Sequence, residues 1–120
     1  MGNRIILEGG NDSPEVLYSD DNCTLSISGV CMPENAVEMF LPIFNGINEL
    51  NTNNLILTLN LQYLNSMSSK QLLRLLMTII DKFQELKIVW NFEEGDMLMQ
   101  MKGEELKEVL QIEKFEIIAL

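Results

Sequence analysis

At 120 residues, 47% of them hydrophobic and 22% charged, the chain can bury a core without disulfides or metals and is too apolar to be a disordered segment. Acidic residues outnumber basic ones 18 to 8, and a formal charge of −10 repels polyanions, so DNA and RNA are excluded as expected ligands. The absence of histidine removes Ser-His-Asp and Cys-His nucleophile systems and imidazole metal sites together.

Arg4 to Glu8 is a short β-prone run stopped by Gly9-Gly10-Asn11-Asp12, and Glu15 to Tyr18 is a second, closed by Ser19-Asp20-Asp21-Asn22. Thr24-Leu25-Ser26-Ile27-Ser28 alternates polar and apolar residues up to Gly29, the pattern of a half-buried strand. Together they predict an antiparallel meander. A helix over about 36–50 follows: Asn35 can cap it, Glu38 stands three residues on, and Val37, Phe40, Leu41, Phe44 and Ile47 recur at helical spacing. Pro42 deletes a backbone hydrogen bond inside that helix and predicts a bend, while Gly46 loosens its last turns.

Leu55-Ile56-Leu57-Thr58-Leu59-Asn60-Leu61 places four leucines on one face of a strand. Lys70 to Leu86 reads as a helix, with Leu72, Leu76, Ile79, Ile80, Phe83 and Leu86 in one broad stripe that must pack against a sheet. Lys87 to Phe92 is another strand, Asp96 to Leu110 a third helix containing Gly103, and Phe115 to Leu120 a terminal strand. The order β-β-β-α-β-α-β-α-β implies parallel neighbours joined by right-handed crossovers. The expected fold class is therefore a single-domain α/β sandwich with a mixed sheet, an N-terminal β-meander followed by βαβαβαβ, covering residues 1–120.

Cys23 and Cys31 flank one strand and would stand about 25 Å apart, against the ~5.5 Å a disulfide needs, so both are expected as free, buried or half-buried thiols of a reducing compartment. The apolar stretch after Met1-Gly2-Asn3-Arg4 is too short for a signal peptide, and Ile6 is not the Ser or Thr of a myristoylation signal. The most apolar segment, Leu72 to Ile80, is interrupted by Arg74 and far shorter than the ~20 residues that span a bilayer. These features lead us to expect a cytoplasmic protein with no membrane contact.

The junction Tyr63-Leu64-Asn65-Ser66-Met67-Ser68-Ser69-Lys70 brings three hydroxyls to the predicted start of the second helix. Ser68 and Gln71 fit a capping box, which leaves Ser66 one turn earlier on the connecting loop with its hydroxyl free to react. In open α/β sheets the edge beyond the carboxyl ends of the strands is where ligands gather, and a helix N-terminus favours added negative charge. The same serines also serve as ordinary cap and turn residues, and local sequence leaves both readings open. Glu93-Glu94-Gly95-Asp96, with Glu104 and Glu105, could hold a divalent cation but reads better as a solvated acidic loop with Asp96 at a helix start, so no metal is expected. Met97, Leu98, Met99 and Met101 suit either an adaptable surface or a core, and Trp90 reads as core. The glycines form no nucleotide-binding cradle, so no cofactor is expected, and any phosphate chemistry makes the protein a substrate.

Ile6-Leu7-Glu8-Gly9, Ser13-Pro14-Glu15-Val16, Leu25-Ser26-Ile27-Ser28-Gly29 and Pro33-Glu34-Asn35-Ala36 resemble, in order and spacing, the N-terminal half of the SiaC family of bacterial regulatory phosphoproteins. Pro42, Tyr63-Leu64-Asn65-Ser66-Met67-Ser68-Ser69-Lys70, Trp90-Asn91-Phe92-Glu93-Glu94, Met99 and Gly103-Glu104-Glu105 continue the likeness over nearly the whole chain. The resemblance implies a STAS-like fold, related to anti-sigma-factor antagonists. It also implies a switch in which a dedicated Ser/Thr kinase phosphorylates one hydroxyl and a metal-dependent phosphatase removes the phosphate. By the same resemblance, the unmodified form binds and activates a diguanylate cyclase, controlling cyclic di-GMP. The family's phosphoacceptor threonine falls on Ser66, where serine keeps the hydroxyl and loses the methyl group. Met67 replaces a small polar neighbour, and Gly95, Met97 and Leu98 stand where relatives are often acidic.

The resulting expectation is a non-enzymatic signalling protein phosphorylated at Ser66, with Asn65, Ser66, Met67, Ser68, Ser69 and Lys70 as the partner surface. A rival reading is an unswitched adaptor or homodimer of the same fold, in which Ser66 is only a turn residue. A small enzyme or metal binder is a third, opposed by the missing histidines and phosphate loops.

Overall fold

Six strands and three helices follow one another as β1 (Asn3–Leu7), β2 (Glu15–Ser19), β3 (Thr24–Cys31), α1 (Ala36–Asn48), β4 (Asn54–Leu64), α2 (Ser66–Lys82), β5 (Glu85–Phe92), α3 (Met97–Leu110) and β6 (Phe115–Ala119). The structure, a computed structural model, describes residues 3–120; Met1 and Gly2, which enter the leader and lipidation readings, lie outside the described residues. No helix among them is long and apolar enough to cross a membrane.

The strands form one sheet in the order β1-β2-β3-β4-β5-β6, so chain order is also spatial order. β1, β2 and β3 are antiparallel neighbours, and β3, β4, β5 and β6 are parallel. The expected meander and the expected crossovers are both present. Because every crossover steps in the same direction, right-handed connections carry all three helices to one face of the sheet. Burial agrees: Leu25 and Ile27 of β3, Leu55, Leu57, Leu59 and Leu61 of β4, and Ile88, Trp90 and Phe92 of β5 are all in the core, while the alternate residues are not. Register lines up Tyr18, Leu25, Leu57, Ile88 and Phe115 as one buried row across five strands. Burying each such leucine contributes about 1.5–3 kcal/mol.

Several elements differ from the sequence expectation for identifiable reasons. β3 does not stop at Gly29 but runs on to Cys31, because Gly29 adopts φ +114° at an irregularity in the pairing with β4 and the ladder resumes at Val30. In α1 the buried face is Ala36, Phe40, Ile43 and Ile47, and Val37 and Leu41 face solvent at 55% exposure each. The expected Asn35 cap is present, accepting from the Glu38 amide at 3.1 Å, and Pro42 lies inside the helix. α2 starts and ends four residues earlier than the predicted helix. Asn65 rather than Ser68 caps it, and Phe83 leaves helical geometry to lead into β5, which takes Leu86. Cys23 and Cys31 are both free, Cys23 half-buried and Cys31 buried.

Candidate functional site

The β4–α2 junction lies at the carboxyl ends of the parallel strands. β4 is the longest strand and outruns β5 by four residues, since pairing with β5 ends at Asn60 while pairing with β3 continues to Leu64. Its last residues therefore deliver the start of α2 beyond the body of the sheet.

Asn65 fixes that start from three directions. Its Oδ1 accepts the Ser68 amide at 2.9 Å, its Nδ2 donates to the Pro33 carbonyl at 3.3 Å, and its own amide donates to the Cys31 carbonyl at 3.0 Å. The sequence carries the signal for this cap: asparagine is at least as good a cap as serine, and Asn65 precedes Ser68 by the capping interval. Gln71, expected to complete a capping box with Ser68, instead accepts from Arg74 at 3.4 Å.

Ser66 is thus the first helical residue and not a loop residue. It is exposed, and none of the hydrogen bonds among the described residues engages its hydroxyl. The Ser68 amide is capped, which leaves the Ser66 and Met67 amides as the donors of the first turn without a partner among the described residues. Met67 is 53% exposed and Lys70, one turn further along the helix, is also exposed. The six candidate residues do not share one surface. Ser66, Met67 and Lys70 face outward, Asn65 and Ser69 are half-buried, and Ser68 is fully buried, so it offers nothing to a docking partner in this fold.

Ser68 points inward, and its Oγ has no hydrogen-bond partner among the described residues. Burial pushes the Cys31 thiol above its ordinary pKa of 9.0, and the Ser68 hydroxyl offsets this in part, which places the two side chains together without a well-formed hydrogen bond.

Beside this junction stands the start of α3, following the neighbouring strand β5. Asp96 caps it by accepting from the Met99 amide at 3.2 Å, the structural use expected of the acidic loop. Met99 is core, whereas Met97, Leu98 and Met101 are 69%, 79% and 60% exposed. Sequence does not decide this surface apolar group, because helical spacing alone does not say which side of a short helix meets the sheet. A narrow cleft between Ser69, Lys70 and Leu73 of α2 and Lys102, Glu105 and Val109 of α3 joins the two helices. Of the larger hollows, two of ≈ 430 and ≈ 410 Å³ border Glu85 and Lys114 at the amino ends of the strands, the opposite edge from Ser66, and one of ≈ 470 Å³ lies beside Glu34, Asn35, Glu38 and Pro42 at the start of α1. Among the described residues no group of three His, Cys, Asp or Glu side chains is arranged to hold a metal ion.

Fold and junction define a small mixed-sheet α/β protein that presents an exposed hydroxyl at a helix start, and solved structures share the fold. SiaC of Pseudomonas aeruginosa superposes with a TM-score of 0.74 at 21% identity, covering 100% of this chain and 98% of that one. The crystal structure of the diguanylate cyclase SiaD in complex with its activator SiaC, from the same organism, matches with a TM-score of 0.78 at 23% identity over 95% of this chain and 98% of that one. The chain belongs to the SiaC family of regulatory phosphoproteins, whose family model matches residues 7–120. No curated protein matches it.

Proposed function

We propose that this protein is a non-enzymatic signalling switch whose state is set by reversible phosphorylation of Ser66. A Ser/Thr kinase adds the phosphate and a metal-dependent phosphatase removes it. The unmodified protein binds and regulates a diguanylate cyclase, as the SiaC of the related complex is the activator of SiaD. The observation that carries the reading is the exposed Ser66 hydroxyl, free of hydrogen bonds at the first position of α2, in a chain of a phosphoprotein family.

Modification changes charge more than shape. A phosphoserine brings about −1.5 to −2 charges, which the unpaired Ser66 and Met67 amides and the helix dipole tolerate within the free protein. At a docked surface the same anion must be desolvated. Against a partner carboxylate about 5 Å away its repulsion is roughly 1.5 kcal/mol at water's dielectric and larger when water is excluded. Since about 1.4 kcal/mol is tenfold in affinity, phosphorylation releases a transient partner with the fold unchanged. Ser66, Met67 and Lys70 form the outward-facing part of the proposed docking surface, and the exposed Met97, Leu98 and Met101 extend it across the start of α3.

The test is mass spectrometry of the protein isolated from its native cells, with and without phosphatase treatment, alongside binding of the unmodified and phosphorylated forms to the diguanylate cyclase of the same cells. Phosphate at Ser66, removed by phosphatase and weakening binding, is the expected result. Phosphate confined to other residues overturns the reading, and unchanged cyclase binding reduces Ser66 to a turn residue of an unswitched adaptor.

A further inference from the structure

Lys70 stands on a stretch of α2 that holds no acid. The helix has none in its first turn, and Asp81, near its far end, is the only one it contains. Residues three and four apart adjoin on a helix surface, so the helical neighbours of Lys70 are Ser66, Met67, Leu73 and Arg74, and none offers a carboxylate. Arg74 is a like charge, with its guanidinium turned to Gln71 at 3.4 Å. Across the cleft to α3, Glu105 pairs with Lys102 at 3.3 Å. In this chain of 18 acids and 8 bases Arg4, Lys87 and Lys102 each meet an acid, whereas Lys70 is exposed and has no ion pair among the described residues.

One of those neighbour positions can gain charge after synthesis: Ser66, exposed and one turn before Lys70 on the same helix. We propose that Lys70 is the intramolecular partner of a phosphate on Ser66, an inference that rests on the phosphorylation reading and adds to it the group that receives the anion. An acid four residues before a base is the favourable order on a helix, since it agrees with the dipole. The flexible stem and three N–H donors of a lysine suit the three acceptor oxygens of a phosphate. The pairing also reverses a sign. Before modification the exposed turn carries the single positive charge of Lys70, and a phosphate of about −1.5 to −2 takes the pair to between about −0.5 and −1. A partner acid that met a free ammonium then meets an anion, with the ammonium held by the phosphate.

The test places phosphoserine at position 66 during translation, so that no cellular kinase is involved, and follows the phosphate of the full chain by phosphorus NMR as pH is varied. Glu34, next to the Pro33 that Asn65 holds, and the Lys102–Glu105 pair are charged groups of the adjoining elements, and they are unchanged in every variant compared. Lys70 favours the dianion, so Lys70→Gln is expected to raise the second pKa of the phosphate by about 0.3, a twofold change in its acid constant. Lys70→Arg is expected to keep most of the parent value, and Lys82→Gln, at the other end of α2, all of it. Identical titrations of the parent and Lys70→Gln overturn the pairing. In the unmodified chain Lys70→Gln is expected to weaken binding to the diguanylate cyclase of the same cells severalfold, and unchanged binding overturns the sign reversal as part of the switch. An unmodified parent that does not bind the cyclase defeats the functional reading instead, while the titration still decides the pairing.

Discussion

Asn65 donates its side-chain amide to the carbonyl of Pro33 at 3.3 Å, a bond that spans 32 positions of chain and ties the start of α2 to the loop that leads into α1. The same side chain caps α2 through Ser68, so one residue sets both the helix start and its position against the neighbouring loop. Replacing Asn65 by alanine is expected to cost about 1–2 kcal/mol, the cost of a lost cap plus a second hydrogen bond. Asn65→Asp keeps the acceptor and loses the donor, so its loss should be smaller. Urea denaturation of the two variants checks both the size and the order.

Ser68→Ala is expected to be neutral or slightly stabilising. The hydroxyl is buried without a hydrogen-bond partner, and removing an unsatisfied polar group relieves a desolvation penalty at the price of one small side-chain contact. Had Ser68 been the cap, the same substitution would cost about 1 kcal/mol. The sign of the change in denaturation midpoint therefore separates the two arrangements.

A negative charge at Ser66 should leave the fold intact and favour α2. Ser66→Asp places a carboxylate in the first turn, where the dipole contributes about 0.3–1 kcal/mol of stability at low salt. Cyclase binding, measured by calorimetry on the same sample, should weaken by about tenfold or more, in keeping with a loss of 1.4 kcal/mol or above. A variant that is as stable as the parent and binds as well argues against an electrostatic block at this position.

Gly103 is held by Trp90. The indole is fully buried and donates to the Met99 carbonyl at 2.9 Å, and a Cβ at position 103 would stand 2.6 Å from Nε1. Since the ring is locked by that bond and by the sheet, Gly103→Ala must displace α3. A cost of about 1–3 kcal/mol is expected, with a change in tryptophan fluorescence that reports the shifted indole.

Alkaline stability should follow Cys31. Burial raises its pKa above 9.0 in the folded state, so the folded protein holds the thiol proton where the unfolded chain releases it. That contribution is complete below the unfolded value and is lost as pH rises through the folded one. Tyr18 acts in the same sense from 10.0, through burial first and the neighbouring Cys23 second. Thermal denaturation between about pH 8 and 11 should show falling stability, less steep in Cys31→Ala.

The amino-acid sequence by itself determined the order and kind of the elements, the leucine face of β4, the Asn35 and Asp96 caps, the free thiols and the family, because each is a short-range pattern of polarity or turn chemistry. It brought Ser66 into view but put it on a loop, since Asn65 and Ser68 are both competent caps and only the Pro33 carbonyl, distant in sequence, favours the first. Phe83 and Leu86 fit a helical stripe and were buried instead by leaving the helix, because a side chain's periodicity is indifferent to which element hides it. Which apolar residues stay outside, Met97 and Leu98 among them, was decided by tertiary packing alone. So was the uncovered face of the sheet: alternation marks two sides of a strand, and only the common hand and direction of the three crossovers send every helix to the same one.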